Sequence, residues 1–275
     1  MKERLIVSAV LVPIFMFILI FLPPYVLAVL VSIVCAISAY EFQRAVGAKE
    51  HERLTIYILF AAVLIPIGVY FGVAELTLKS VLLVLMFLVF AEAIPVYKMK
   101  RQIKFTQIMT SIFAGAVIPY MLSSLVVLKN MNQGHIYVLL PVIAAFLTDA
   151  GAYFIGVFFG KRRAFPLISP KKTVEGYIGG FLIGTIGILV YGAIVYFTTI
   201  HEVRFGVLAI YGVIGAVVSE LGDLAFSLIK REHDIKDYGN LLPGHGGMMD
   251  RLDSMVFTAQ TMYLLVMVLP AIIVV

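Results

Sequence analysis

The sequence contains a single cysteine, Cys35, and its five histidines are scattered. One cysteine excludes an intrachain disulfide and a cysteine-based metal cluster, and its place within an apolar run is typical of a small buried residue. The chain has neither an H-x-x-x-H pair nor a G-x-S-x-G motif, so it predicts neither a zinc site nor a serine hydrolase with a nucleophile elbow. No internal repeat is evident, and an inverted-repeat transporter therefore has no direct support.

Charge is also scarce, at 13% of the 275 residues, whereas 62% are hydrophobic. A soluble domain carries roughly 25% charged residues, and a chain of this size cannot bury so much apolar surface in one core. Apolar runs of about 20 residues, long enough to cross a hydrocarbon core of about 30 Å, recur along the chain. Nine runs are predicted, at residues 5–22, 25–40, 54–73, 80–97, 105–128, 136–159, 175–198, 205–229 and 253–274. We therefore expect an all-α, polytopic integral membrane protein with about nine transmembrane helices.

The basic residues predict the orientation of these spans. All lysines and arginines except Lys79, Lys129 and Arg204 lie at the N-terminus or in the loops after the second, fourth, sixth and eighth runs. Because cytoplasmic loops carry an excess of these residues, the N-terminus is predicted to be cytoplasmic and the C-terminus external, in the cytoplasmic membrane. The net charge of +5 is then an orientation signal, and no nucleic-acid partner is expected. The first run lacks a convincing small-residue cleavage site, so we interpret it as a retained span rather than a signal peptide.

The chain divides by composition into two parts. Residues 1–130 hold about five spans with short charged loops. Residues 131–275 hold about four spans that are richer in glycine, aspartate and threonine, with longer cytoplasmic loops at 160–174 and 230–252. Charged residues at membrane depth are costly and usually functional, so the second part is predicted to be the catalytic region.

The eighth span carries a polar stripe. Its members, spaced at i, i+3, i+7 and i+10, are Glu220, Asp223, Ser227 and Lys230. This spacing places them on one helical face, which must point to a bundle interior or a wet cavity. The alternative is a structural helix contact, in which a carboxylate pairs with a neighbouring cation. Asp149 is likewise a carboxylate inside a predicted span, the sixth, and the same two explanations apply to it.

A second candidate region is "PGHGGMMDRLDS", which leads into the last span. Pro243 prevents helix continuation, and Gly246 and Gly247 let the backbone approach an anion closely. Asp250 and Asp253 follow at i and i+3 near the start of a helix, where carboxylates also suit the helix dipole. Paired oxygen ligands of this kind suit a hard cation such as Mg²⁺, although D-x-x-D also occurs by chance.

A third candidate region is the loop after the sixth span. Lys161, Arg162 and Arg163 are interpreted as orientation charges. Ser169–Pro170 is predicted to form a turn, and Lys172 and Thr173 then precede a helix start, which is a natural phosphate cradle. Positive-inside charge is the alternative explanation for this lysine. Carboxylates for metal, basic residues for phosphate and glycines for close approach together favour phosphoryl or nucleotidyl transfer. An ion-coupled transporter using Asp149, Glu220 and Asp223 is the alternative from another class.

The run "SLIKREHDIKDYGNLLPGHGGMMDRLD" resembles the signature of the phosphatidate cytidylyltransferases, or CDP-diacylglycerol synthases. Every element of that signature is present: Ser227, Lys230–Arg231, Lys236–Asp237, Pro243, His245–Gly246–Gly247, Asp250–Arg251 and Asp253. The segments "DAGAYFIGVFFGK" and "ISPKKTVEG" resemble the upstream region of the same family, so the likeness covers roughly residues 145–255.

The resemblance implies that CTP and phosphatidic acid react at the membrane to give CDP-diacylglycerol and pyrophosphate. It implies Mg²⁺ as a cofactor, leaving a second cation and a homodimer open. The implied catalytic residues are Asp223, Asp250, Asp253, Lys230 and Arg231, with the three aspartates as metal ligands. The implied substrate-binding residues are Asp149, Ser169, Lys172, Thr173, Ser227, Lys236, Asp237, His245, Gly246, Gly247 and Arg251. The site is expected to face the cytoplasm, within a pocket lined by spans six to nine. A polyprenol kinase or an ether-lipid synthase that uses CTP is the alternative among enzymes.

Overall fold

The computed structural model describes residues 13–47, 51–241 and 246–273, and within these ranges the protein is predominantly helical. The helices are α1 (13–21), α2 (Pro24–Val46), α3 (Glu52–Tyr70), α4 (Ala74–Ala93), α5 (Phe105–Ile112), α6 (Ile118–Leu122), α7 (Ser124–Asn130), α8 (Gly134–Tyr137), α9 (Leu139–Phe159), α10 (Val174–Thr198), α11 (Phe205–Glu232) and α12 (Met249–Val268). A π-helical turn, Phe113–Val117, joins α5 to α6. Strand β1 (Arg163–Phe165) pairs antiparallel with β2 (Ser169–Thr173), and β3 (Glu202–Val203) with β4 (Ile272–Ile273).

Seven segments among the described residues are long and apolar enough to cross a membrane. They are Pro24–Val46, Glu52–Tyr70, Ala74–Ala93, Phe105–Asn130, Gly134–Phe159, Val174–Thr198 and Phe205–Glu232. These segments coincide with the second to eighth predicted runs, so an all-α polytopic membrane protein is confirmed. The first predicted run, 5–22, lies partly outside the described residues. The ninth corresponds to α12, which is not among the seven because its first turns carry charged residues.

The chain forms two compact units. The first comprises Met1–Val127 and Ile229–Leu252, and the second comprises Leu128–Leu228 and Asp253–Val275. In the first unit, α3 packs between α2 and α4 through buried aliphatic side chains such as Leu54, Ile58 and Ile65.

In the second unit, α9 packs along the length of α10. Most of the buried positions of α10 are glycines, which let two helix backbones approach closely inside a membrane. Thr173 is the N-cap of α10, and its hydroxyl oxygen accepts a hydrogen bond of 3.1 Å from the N–H of Gly176. This N-cap fixes the end of the preceding strand, β2, against the helix start.

The segment before α10 corrects one expectation. Ser169–Pro170 was predicted to form a turn, but both residues lie in β2. The turn falls at residues 166–168, where the N–H of Ile168 donates to the carbonyl of Phe165. Proline fits the start of a short edge strand because it does not need to donate a ladder hydrogen bond there.

Candidate active site

A buried ion pair lies at the junction of α11 and α12 in the first unit. Lys230 Nζ is 2.8 Å from Asp250 Oδ1, and the two side chains are only 10% and 3% exposed. The other carboxylate oxygen, Oδ2, accepts hydrogen bonds from the N–H groups of Tyr238 (2.8 Å) and Gly247 (3.0 Å). Both oxygens of Asp250 are therefore satisfied, which is what a buried charge requires.

Described residues on both sides of the interhelical loop lie close to Asp250. Gly246 has a φ of +81°, a conformation that favours glycine, and a side chain at this position would meet the carboxylates of Asp250 and Asp237 at 3.1 and 3.3 Å. Lys230 Nζ lies 5.4 Å from the centroid of the Tyr238 ring, a cation–π distance. The structure thus brings together five of the predicted residues from one run of the sequence, namely Lys230, Asp237, Gly246, Gly247 and Asp250. Two others, Pro243 and His245, lie outside the described residues.

A second polar cluster, in the second unit, is centred on Asp223 of α11. Its carboxylate forms an ion pair with Lys172 of β2, and the two side chains are 21% and 25% exposed. The hydroxyl of Ser227 lies 3.3 Å from Asp223 Oδ1. The cation partner that the sequence left open as an alternative for Asp223 is therefore present. Lys172 Nζ also lies 5.3 Å from the ring centroid of Tyr177 on α10.

Asp253 and Asp149 approach the same region of the second unit. Asp253 is 9% exposed, and Gly222, beside Asp223 on α11, faces its backbone. Asp253 Oδ1 accepts a hydrogen bond of 2.9 Å from the N–H of Ser254. The hydroxyl of Ser254 in turn lies 3.4 and 3.5 Å from the two carboxylate oxygens of Asp149 on α9. Asp253 on α12 is thus linked through Ser254 to Asp149 on α9, and its backbone lies against the residue that precedes Asp223 on α11.

The contact at Gly222 is testable by substitution. A Cβ atom at this position would lie 2.9 Å from the carbonyl oxygen of Asp253 and 3.1 Å from the ring of Phe257. We expect Gly222→Ala to force α11 away from α12 and to lower the free energy of unfolding by about 1–3 kcal/mol. Thermal unfolding of the purified protein in detergent measures this loss.

Gly206 on the same helix provides the matched control. No atom lies within 4 Å of a Cβ placed there, and alanine has the higher helix propensity. Gly206→Ala is therefore expected to keep or slightly raise the unfolding temperature. Equal unfolding temperatures for both variants would contradict the close contact at Gly222.

Glu220 of the polar stripe has a different environment from Asp223. Its Oε1 is buried without a hydrogen-bond partner, and a Cβ at Gly180 of α10 would lie 2.7 Å from that atom. The stripe predicted from helical spacing is thus present on α11. Its members nevertheless face different partners.

Several of the predicted phosphate-binding residues are exposed. Lys236 and Arg251 are exposed, as is Arg231, whose guanidinium donates to the carbonyl of Ile235 at 2.9 Å. Ser169 is half-buried at the start of β2.

Sequence reasoning missed two residues of α2, Glu41 and Phe42. Both side chains are buried. Glu41 accepts a hydrogen bond of 3.0 Å from the N–H of Met249, the first residue of α12, and Phe42 stacks on Tyr238, which precedes that helix. The signal was weak, because Glu41 directly follows the predicted run 25–40, whereas the structure extends α2 to Val46 and so includes this carboxylate in the helix.

The fit of a divalent cation depends on the type of the donor atoms and on their arrangement. Carboxylate oxygens from Asp223, Asp250 and Asp253 are the donors that Mg²⁺ prefers. Among the described residues, however, no three acidic, histidine or cysteine groups are gathered closely enough to hold a metal ion. Asp223 and Asp250 are each neutralised by a lysine instead. The carboxylate oxygens are thus of a type that suits Mg²⁺, but the carboxylates of Asp223 and Asp250 are paired with lysines.

Comparison with known proteins finds one family across nearly the whole chain. The model of the cytidylyltransferase family matches residues 2–269. The chain is 37% identical to a phosphatidate cytidylyltransferase of Bacillus subtilis over 158 residues, which cover 57% of this chain and 56% of that protein. It is 40% identical over 129 residues to the corresponding protein of Staphylococcus saprophyticus, and 40% identical over 132 residues to that of Staphylococcus aureus, each match covering 47% of this chain and 48% of the relative. The chain spans about half the length of the curated relatives it matches.

Proposed function

The chain belongs to the cytidylyltransferase family, and from that premise we propose that it is a phosphatidate cytidylyltransferase. It would condense CTP with phosphatidic acid to give CDP-diacylglycerol and pyrophosphate. Its relatives in Bacillus and Staphylococcus carry this name. The membrane-spanning helices suit a reaction in which one substrate and one product are lipids.

One observation carries the proposal: in the run that matches the family signature, the described residues Tyr238, Gly246 and Gly247 surround the Lys230–Asp250 pair. Burial of a lysine–aspartate pair is costly unless further hydrogen bonds satisfy the charges, and the glycine-containing loop supplies one of these bonds from Gly247. Glycine lets the loop backbone approach an anion closely, and lysine and arginine neutralise phosphate charge. The same short segment thus supplies both the close backbone approach and the positive charge that favour binding of a nucleoside triphosphate.

The proposed reaction is an in-line displacement. An oxygen of the lipid phosphate attacks the α-phosphorus of CTP, and a new phosphorus–oxygen bond forms. The bond from that phosphorus to the oxygen that bridges to the β-phosphorus breaks, and pyrophosphate leaves with the electron pair. Because a phosphate monoester is already anionic at pH 7, no strong general base is required. Catalysis would rest on positioning and charge neutralisation.

In the first unit, we assign phosphate neutralisation to Lys230 and to the exposed basic residues around it. These are Arg231, Lys236 and Arg251. Gly246 and Gly247 would allow the phosphates to approach the loop backbone, with Asp237 beside them and His245 as a donor. The exposure of the basic side chains supports this assignment, since a water-borne nucleotide must reach them.

In the second unit, we assign Mg²⁺ binding to Asp223 and Asp253, and phosphate binding to Lys172 together with Ser169, Thr173 and Ser227. Asp250, one helical turn before Asp253 on α12, is also proposed to bind Mg²⁺. When bound, Mg²⁺ would neutralise charge on the reacting phosphates. Lys172 would exchange its partner, releasing Asp223 and contacting a substrate phosphate. This exchange keeps each charge paired within a partly buried cluster.

The orientation proposed from the sequence accords with this chemistry. CTP is a cytosolic nucleotide, and both lipids remain in the bilayer. With nine spans and a cytoplasmic N-terminus, the loops 160–174 and 230–252 would both lie on the cytoplasmic side. The excess of lysine and arginine in these loops supports the arrangement.

The position of a label in CTP tests the proposed function. Purified protein is incubated in detergent with phosphatidic acid, Mg²⁺ and CTP that is labelled in either its α- or its γ-phosphate. We expect the α-label in the organic phase and the γ-label in released pyrophosphate. A γ-label in the lipid would identify a lipid kinase instead. No label in the organic phase, with or without K⁺, would overturn the proposal.

A further inference from the structure

Glu41 is a buried carboxylate in α2, a helix with the length and composition of a membrane span. It is 7% exposed, and a charged group at such a position is costly unless it is held by hydrogen bonds. Its Oε2 accepts a hydrogen bond of 3.0 Å from the N–H of Met249, the first residue of α12. The two residues are 208 positions apart in the chain. Glu41 therefore connects the N-terminal helices of the first unit to the start of α12.

Two glycines that precede α12 leave space for the Glu41 carboxylate. Gly239 and Gly247 both lie directly against Glu41, and a Cβ at either position would overlap with its carboxylate. Gly247 is also the residue whose N–H donates to Asp250. The side chain of Glu41 thus occupies the space where side chains at positions 239 and 247 would otherwise lie.

The next residue of α2 contacts the other end of the same loop. Phe42 stacks on Tyr238 with ring centroids 5.2 Å apart and an interplanar angle of 29°. Tyr238 donates its backbone N–H to Asp250 and places its ring near Lys230. Two consecutive residues of α2 therefore hold the loop at both ends, one by hydrogen bonding and one by ring stacking.

We propose that Glu41 is a positioning residue for Gly239, Gly247 and the first turn of α12. It holds Gly247 and the first turn of α12 in place, and through them it sets the orientation of the Asp250 carboxylate beside Lys230. Glu41 does not itself contact substrate in this proposal. The kinetic part of the inference rests on the proposed function, whereas the structural part does not.

Two substitutions of similar size separate hydrogen bonding from packing. Glu41→Gln keeps a carbonyl oxygen that accepts the Met249 N–H, and Glu41→Leu keeps the volume but removes the acceptor. The matched control is Ser38→Ala, one turn earlier on α2. Ser38 is fully buried and its hydroxyl has no hydrogen-bond partner, so its removal should leave the loop unchanged.

Hydrogen–deuterium exchange of the loop is the first measurement. In Glu41→Leu, we expect amide exchange in peptides covering 246–250 to accelerate at least about tenfold, because the opening of this segment no longer breaks the bond to Glu41. Glu41→Gln and Ser38→Ala are expected to exchange like the wild-type protein. Unchanged exchange in Glu41→Leu would overturn the inference, whether or not the protein uses CTP.

Steady-state kinetics with α-labelled CTP is the second measurement. We expect Glu41→Leu to lower kcat by about 100-fold, the loss typical of a misplaced catalytic group. Its KM for phosphatidic acid should stay within about twofold of wild type, and Glu41→Gln should recover most of the rate. Equal losses in Glu41→Gln and Glu41→Leu would also overturn the inference, since that pattern indicates a general folding defect. An inactive wild-type protein would instead contradict the proposed function and leave exchange to decide the role of Glu41.

Discussion

Lys230→Met is expected to abolish measurable cytidylyl transfer and to destabilise the protein by about 3–5 kcal/mol. The physical reason is the burial of its partner, because Asp250 is 3% exposed and methionine would leave its negative charge uncompensated. The two backbone N–H groups that donate to Asp250 stabilise the carboxylate only in part. Thermal unfolding in detergent measures the first effect, and transfer of α-labelled CTP into lipid measures the second.

A double variant separates the two effects of this substitution. Lys230→Met combined with Asp250→Asn removes both charges while keeping an acceptor for the N–H groups of Tyr238 and Gly247. Its stability should recover toward that of the wild type, but its activity should not, because both groups are assigned to the reaction. Lys79→Ala is the control for ion pairs in general. Lys79 and its partner Glu75 are 71% and 81% exposed, so this loss should leave the unfolding temperature nearly unchanged. Recovery of activity in the double variant would contradict the assignment of the pair to catalysis.

Asp223→Asn, in contrast to Lys230→Met, is expected to cause a large loss of activity with little loss of stability. Its pair with Lys172 is partly exposed on both sides, so breaking it should cost less than about 1 kcal/mol. A metal ligand or phosphate-positioning carboxylate contributes several kcal/mol to the transition state, which corresponds to a loss of at least about 10³-fold in kcat. Steady-state kinetics over a range of Mg²⁺ concentrations, together with thermal unfolding, measures both quantities.

Ser227→Ala provides the comparison for Asp223→Asn. The Ser227 hydroxyl makes a long hydrogen bond of 3.3 Å to Asp223, and its loss should reduce kcat by roughly tenfold or less. Asp223→Asn with full Mg²⁺-dependent activity would show that Asp223 serves only to pair with Lys172. If Asp253→Asn also kept full Mg²⁺-dependent activity, both metal ligands assigned in the second unit would be contradicted.

The membrane class and most span positions were predictable because hydropathy is a local property. Whether a run such as 175–198 crosses a membrane depends on the sum of its own side chains, and the structure places α10 at Val174–Thr198. The ninth run shows where this reasoning is weakest. Asp250 and Asp253 lie in the first turns of α12, which ends at Val268 instead of reaching 274 and is less apolar than the seven candidate spans.

Only part of the arrangement of the candidate site residues was predictable. Helical spacing placed Asp223, Ser227 and Lys230 on one helix, and the structure confirms that they lie on α11. Spacing could not identify their partners. Lys230 pairs with Asp250, whereas Asp223 pairs with Lys172 from the hairpin before α10. The short strands of that hairpin were missed because Ser169–Pro170 is as typical of a turn as of an edge strand.

The sequence by itself determined that this is an all-α polytopic membrane protein of the cytidylyltransferase family, because composition, hydropathy and a dense run of signature residues are all properties of the chain read in order. Only the tertiary structure decided which charges meet. Glu41 lies far from the signature in the chain, and nothing in its neighbourhood indicates that it holds Met249 and the glycines before it. Such pairings depend on where the backbone brings distant residues together, and a buried charge is stable only where a partner has been brought to it.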